Sequence, residues 1–146
     1  MGKVKIVLIV VGLMFLSGCS LLTEVNDSIE YVNTATEHVA KLNTFADEAP
    51  QLVQAAVTDT EVKQELETKL ITLKQDIEEF INTQNVPKVA EDIHQEFVAK
   101  NEVLLGEINQ ALENGNLALD KLESSELFTT INDVTNLLNR LENIVQ

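Results

Sequence analysis

The chain has 146 residues, of which 24 are acidic and ten are Lys or Arg, so its formal net charge is −14 at pH 7. This acidity disfavours nucleic acid and anionic lipid headgroups as partners, because like charges repel. The 45% hydrophobic content and its regular spacing favour a folded protein over a disordered acidic chain.

The first 18 residues have the pattern of a secretory leader. Lys3 and Lys5 precede an apolar stretch at residues 6–16, and the small residues Ser17 and Gly18 follow it. The alternative is an uncleaved transmembrane helix, which needs about 20 apolar residues. The stretch has only 11 residues, so we predict a cleaved leader.

The run Leu16-Ser17-Gly18-Cys19 contains the only cysteine and resembles the lipobox of bacterial lipoproteins. The resemblance implies that a signal peptidase recognises Leu16, Ser17 and Gly18, that the Cys19 thiol receives a diacylglycerol and that the chain is cut before it. Residues 1–18 are then the signal peptide, and residues 19–146 form a single domain tethered by lipidated Cys19. Several acyl chains on one residue give stable attachment. We therefore expect a lipid anchor in the cell membrane, on its extracytoplasmic side.

The mature chain begins with an amphipathic segment from about Leu21 to Glu48. Its apolar residues recur every three or four positions and share one helical face. They are Leu22, Val25, Ile29, Val32, Ala35, Val39, Leu42 and Ala46. We expect this helix to end at Pro50, because proline lacks an amide donor and disfavours helical conformation in the residue before it.

The next two segments also have helical spacing. Thr58 and Glu61 form a capping-box pattern before a stripe that runs from Val62 to Phe80. A third segment is predicted to start near Asn85, with Pro87 in its first turn, and to end at Gly115 as a left-handed cap. We expect no hairpin, because no Asn-Gly pair lies between alternating apolar runs.

The fourth segment has the most regular stripe in the chain. It begins near Ser124 or Ser125, either of which is suited to cap a helix. Its stripe comprises Leu127, Ile131, Val134, Leu138, Leu141 and Val145. Together the segments predict an all-α fold, an antiparallel bundle of about four amphipathic helices. A single long coiled coil is the alternative, but Pro50, Pro87 and Gly115 interrupt its heptads.

Residues suited to catalysis are scarce in this chain. Glu91 and His94 have the spacing found in carboxylate-bridged di-iron bundles, but such bundles need the motif on two helices, and Ala35 lies three residues before His38. We therefore interpret Glu91 and His94 as part of a solvated helix face. We predict no enzyme activity and no catalytic, metal-binding or cofactor-binding residues.

Two surfaces rich in Thr and Asn are candidates for hydrogen bonding to a protein partner, although ordinary solvent exposure also explains them. The first segment supplies Thr34, Thr36 and Asn43. The fourth segment supplies Thr129, Thr130, Asn132, Thr135, Asn136 and Asn139.

Several stretches of the mature chain resemble a family of small, functionally uncharacterised lipoproteins from spore-forming Gram-positive bacteria. These stretches are residues 21–26, 46–52, 90–94 and 130–138. The resemblance implies a location on the outer face of the cytoplasmic membrane and assigns no catalytic residues.

These patterns support two hypotheses for function. The first is a non-enzymatic envelope protein, anchored by a diacylglyceryl group on Cys19, that contacts another envelope protein or itself through a helical face. The second is a module that holds an apolar or cationic small molecule or peptide between its helices.

Overall fold

The computed structural model describes the backbone of residues 18–145 and the side chains of residues 24–145. Within this range the prediction of an all-α fold is confirmed. The helices are α1 (Gly18–Ala56), α2 (Thr60–Ile81), α3 (Glu91–Ala111), α4 (Leu119–Glu123) and α5 (Leu127–Val145). A 3-10 turn, Lys88–Ala90, precedes α3, and two short strands, β1 (Leu112–Glu113) and β2 (Asn116–Leu117), form an antiparallel pair.

The predicted signal peptide lies outside the described residues, apart from the backbone of Gly18. The backbone of Cys19 belongs to the first turn of α1. The division of the chain at residue 18 therefore stays a prediction.

Helices α1 and α2 are antiparallel neighbours. Lys41 Nζ lies 2.9 Å from Asp76 Oδ1, and Lys69 Nζ lies 2.8 Å from Glu48 Oε2. The residue number falls on one helix as it rises on the other, which is the register of an antiparallel pair. These ion pairs are exposed, so each contributes at most about 1 kcal/mol to the free energy of unfolding.

Helix α5 packs antiparallel to both α1 and α3. Lys100 Nζ contacts Asp133 Oδ2 at 2.7 Å, and the Thr135 hydroxyl donates to Asn43 Oδ1 at 3.0 Å. Since α2 also packs on α3, the long helices form a ring in the order α1, α2, α3, α5. This is an up-down-up-down bundle, in which α1 and α3 are parallel and lie diagonally across the core.

Val25 and Ile29 of the predicted α1 stripe are more than half exposed, but most of the predicted stripe residues face this core. Its largest fully buried side chains come from all four long helices and from α4. They are Tyr31, Leu42, Leu66, Leu70, Ile77, Phe97, Leu104, Ile108, Leu122, Leu127, Ile131 and Leu141.

The prediction that Pro50 ends the first helix is wrong. Helix α1 continues through Pro50 for six more residues. Ala49, Val53 and Ala56 continue the apolar face and are buried, whereas the Pro50 ring is on the exposed side. Burial of this extra turn and a half outweighs the helical hydrogen bond that proline cannot make.

The predicted helix starts need correction. Asp59 caps α2, since its Oδ1 accepts from the amides of Glu61 and Val62 at 2.9 and 3.3 Å, so Thr58 is not the cap. Pro87 precedes the 3-10 turn, and α3 begins only at Glu91 instead of near Asn85.

The chain between α3 and α5 also differs from the prediction. Asn114 and Gly115 both have positive φ, 53° and 80°, and form the turn of the β1–β2 hairpin. The left-handed conformation expected of Gly115 is present, but it belongs to this hairpin. Ser124 and Ser125 donate to carbonyls of α4 instead of capping α5.

Replacement of Pro50 by alanine should stabilise the protein. Pro50→Ala restores a helical amide donor on an exposed position, so we expect the free energy of unfolding to rise by about 1–2 kcal/mol. Urea unfolding followed by circular dichroism measures this change. The neighbouring exposed substitution Gln51→Ala is the control and should change stability by less than about 0.5 kcal/mol. A less stable Pro50→Ala protein would contradict this account of α1.

Candidate functional site

A hydrogen bond crosses the centre of the bundle diagonally between α1 and α3. The His38 side chain, 5% exposed, places Nε2 2.8 Å from Asn101 Oδ1. Asn101 Nδ2 donates to the Phe97 carbonyl at 2.8 Å, which orients its Oδ1 toward His38. His38 Nε2 therefore carries the proton and donates it to Asn101.

A second diagonal bridge lies about two helical turns away on both helices. The Tyr31 hydroxyl is hydrogen-bonded to His94 Nδ1 at 2.9 Å. Tyr31 and His38 are seven residues apart, as are His94 and Asn101. We refer to these four residues as the diagonal bridges.

Phe80 of α2 packs between the two bridges. Its ring stacks on His38 with a centroid distance of 4.1 Å and an interplanar angle of 3°. It also meets the Phe97 ring edge-on at 5.5 Å. Contacts from α2 and α3 thus leave the His38 side chain only 5% exposed.

Burial keeps the diagonal bridges uncharged at neutral pH. It lowers the pKa of His38 to about 4, although the hydrogen bond that His38 donates to Asn101 acts in the opposite direction. Burial also lowers the pKa of His94 and raises that of Tyr31. The bridges are therefore neutral hydrogen bonds in the core.

The bridges correct the interpretation of His94 as part of a solvated face. His94 is half-buried and bonded to Tyr31, while Glu91 is exposed. Among residues 24–145, no three His, Cys, Asp or Glu side chains are grouped so that they would hold a metal ion. The two pairs share a seven-residue spacing, which is the signal in the sequence for two parallel bridges. Neither Tyr31 nor Asn101 was identified from the sequence as a partner of a histidine.

The Thr- and Asn-rich surfaces are partly internal. The bond between Thr135 and Asn43 joins α5 to α1, and Thr130 is buried. The hydroxyls of Thr34 and Thr36 donate to carbonyls of their own helix. This pattern reduces the hydrogen-bonding capacity these surfaces offer to a partner.

An apolar groove of about 550 Å³ opens at the end of the bundle where α1 begins and α5 ends. We call it the anchor-end groove. Its lining comprises Glu24, Val25, Ser28, Ile29, Val32, Asn33, Val89, Ile144 and Val145. The side chains of Val25, Ile29, Val89 and Ile144 are between 45% and 58% exposed. Apolar side chains grouped this way on a surface are typical of interaction sites.

A second groove, of about 390 Å³, lies between α1 and α2. Phe45 and Leu73 contribute apolar surface to it, and small residues such as Ala40 and Thr72 leave it open. The ion pairs that join α1 and α2 also line this groove.

Among the helices of residues 18–145, none combines the length and the apolarity that crossing a membrane requires.

The chain is similar to one protein family and to one curated protein. Residues 31–144 match a family with the description "Family of unknown function (DUF6376)". The chain is also 36% identical to a protein of Bacillus subtilis (strain 168) named "Uncharacterized lipoprotein YybP", over 96% of this chain and 98% of that protein. This relative comes from a spore-forming Gram-positive bacterium, so the resemblance inferred from the sequence is confirmed. No solved structure matches the chain.

The diagonal bridges should make stability depend on pH. The pKa of His38 falls from 6.5 in the unfolded chain to about 4 in the folded protein. Between these values the unfolded chain binds a proton that the folded protein does not, so stability is lost as pH falls. From pH 7 to pH 5 we expect the free energy of unfolding to decrease by about 2 kcal/mol through His38.

Urea unfolding at both pH values measures this decrease. The control is the double variant His38→Phe with Asn101→Leu, which removes the titrating group and leaves neither partner unpaired. Its decrease should be smaller by about 2 kcal/mol. Equal decreases in both proteins would show that His38 does not titrate in this way.

Proposed function

The chain belongs to the DUF6376 family, and from this premise we propose that it is a lipid-anchored, non-enzymatic envelope protein that binds another protein through its anchor-end groove. The observation that carries the proposal is the position of this groove. Its volume exceeds that of the groove between α1 and α2, and it lies beside the start of α1, close to the predicted lipid anchor.

The lipobox and the relative support the anchor. The matched protein of Bacillus subtilis is named a lipoprotein, and the match covers nearly the whole chain. We propose that Cys19 carries the lipid and that the bundle stands on the extracytoplasmic face of the cytoplasmic membrane. The helix rises about 1.5 Å per residue, so Val25 lies about 9 Å along α1 from Cys19.

The structural roles of the histidines support a protein-binding function and not an enzymatic one. His38 and His94 each bond to a side chain across the core, and burial lowers the pKa of both. A general base acts best with a pKa near the working pH and with access to substrate. His38, with a pKa of about 4, a ring stacked on Phe80 and only 5% exposure, has neither property.

The groove between α1 and α2 favours a second candidate function, in which the bundle holds an apolar or cationic small molecule or peptide between its helices. Its apolar surface from Phe45 and Leu73, with carboxylates such as Asp76 nearby, is suited to such a ligand. A thermal-shift screen of polyamines and short cationic peptides tests it, since a ligand that binds the folded state raises the melting temperature.

The anchor is tested by metabolic labelling with an alkyne analogue of palmitate. We expect the wild-type chain to be labelled and to fractionate with membranes. Cys19→Ser removes the thiol that accepts the lipid, so labelling should fall to background. Ser20→Ala is the matched control and should label fully. A soluble, unlabelled wild-type protein would contradict the anchor.

The contact function is tested by photo-crosslinking in living cells. A photoreactive amino acid at Ile29, inside the anchor-end groove, should yield a discrete adduct with another protein. The same amino acid at Val103, exposed on α3 outside this groove, is the control and should not yield that adduct. Identical adduct patterns at both positions would argue against the groove as the contact surface.

A further inference from the structure

We propose that the partner segment bound in the anchor-end groove is a cationic amphipathic helix. This inference rests on the proposed function and adds the chemistry of the partner. It follows from the shape of the groove, the charge around it and its position relative to the anchor.

The groove has the dimensions of a helix-binding site. From Val25 to Val32 it extends about 10 Å along α1, equal to two turns of a bound helix. α5 contributes Ile144 and Val145, and the chain before α3 contributes Val89. An amphipathic helix presents apolar residues at positions i, i+3, i+4 and i+7, which suits such an elongated apolar surface.

The negative charge near the groove favours a cationic partner. Six carboxylate residues lie within three residues of a groove-lining residue, against one basic residue, Lys88. The carboxylates are Glu24, Asp27, Glu30, Glu91, Asp92 and Glu142. An apolar surface with an excess of carboxylates in the neighbouring turns favours a helix that has an apolar face with lysine or arginine beside it.

The same charges disfavour two other occupants. A second copy in a symmetric dimer would place these carboxylates opposite their own equivalents. A bilayer rich in anionic lipids would repel them as well. Cationic amphipathic helices, in contrast, concentrate at anionic membrane surfaces, where the anchor would hold the groove.

The test uses the full mature protein in nanodiscs of zwitterionic lipid. The probe is a fluorescent 14-residue peptide of leucine and lysine, with leucines at helical spacing, and anisotropy reports its binding. We expect saturable binding above that of empty nanodiscs, and weaker binding as salt is raised. The same peptide with glutamate in place of lysine should not bind.

Variants locate the binding surface. Ile29→Ser with Ile144→Ser removes two groove residues that are about half exposed, so the fold should be retained and peptide affinity should fall about tenfold. The matched control is Ile71→Ser with Val103→Ser, two similarly exposed residues outside the groove, and its affinity should equal that of the wild type. Circular dichroism verifies that both variants fold.

Several results would overturn this inference. Equal affinity in the groove variant and its control would exclude the groove, and equal binding of the glutamate peptide would exclude charge selection. Self-association of the protein that the groove variant abolishes, without peptide binding, would identify a second copy as the occupant. If photo-crosslinking at Ile29 yields an adduct while the leucine–lysine peptide fails to bind, only the partner chemistry is wrong. If the adduct is also absent, the contact function fails too.

Discussion

The hydrogen bond between His38 and Asn101 constrains the rest of the bundle. It joins two parallel helices that otherwise meet little, because they lie diagonally across the core. A buried polar pair of this kind favours one register, since a shift of either helix would leave a buried donor or acceptor unpaired. The bond between Tyr31 and His94 repeats the constraint two turns away and fixes the same offset. Apolar packing alone tolerates such shifts far better.

This register determines where the core ends. Tyr31 is 1% exposed, whereas every residue of α1 from Glu24 to Glu30 is exposed or only half-buried. The bridge from Tyr31 to His94 therefore marks the last closed layer of the bundle. Beyond it, α1 and the last turn of α5 continue past the core with apolar residues on their facing sides. The anchor-end groove is thus a direct consequence of helices that are longer than the core they enclose.

The sequence predicted the fold class and most of the core stripes because helical periodicity depends on local spacing. It failed where tertiary packing outweighed local preference: Pro50 lies inside α1 because Ala49, Val53 and Ala56 are buried on the opposite side. The diagonal bridges were missed because a polar residue on an apolar face is predicted to be solvent-exposed unless its hydrogen-bonding partner is known. Val25, Ile29 and Val32 of the groove were predicted on the apolar face that the bundle buries, since periodicity does not reveal which end of a stripe lacks a neighbour.

The acidity of the chain and its predicted lipid anchor act in opposite directions at the membrane. Carboxylates near the groove disfavour contact with anionic headgroups, whereas a lipid on Cys19 would hold that same end of α1 at the surface. Under both influences the bundle would be held at the membrane while its acidic surface is repelled from the headgroups, which would leave the groove accessible to other molecules. A lipid anchor would also confine the groove to a thin layer above the membrane, which would raise its effective concentration toward partners in that layer. A low intrinsic affinity of the groove would then be sufficient for binding. This is consistent with side chains that are only half exposed and with a site of modest volume.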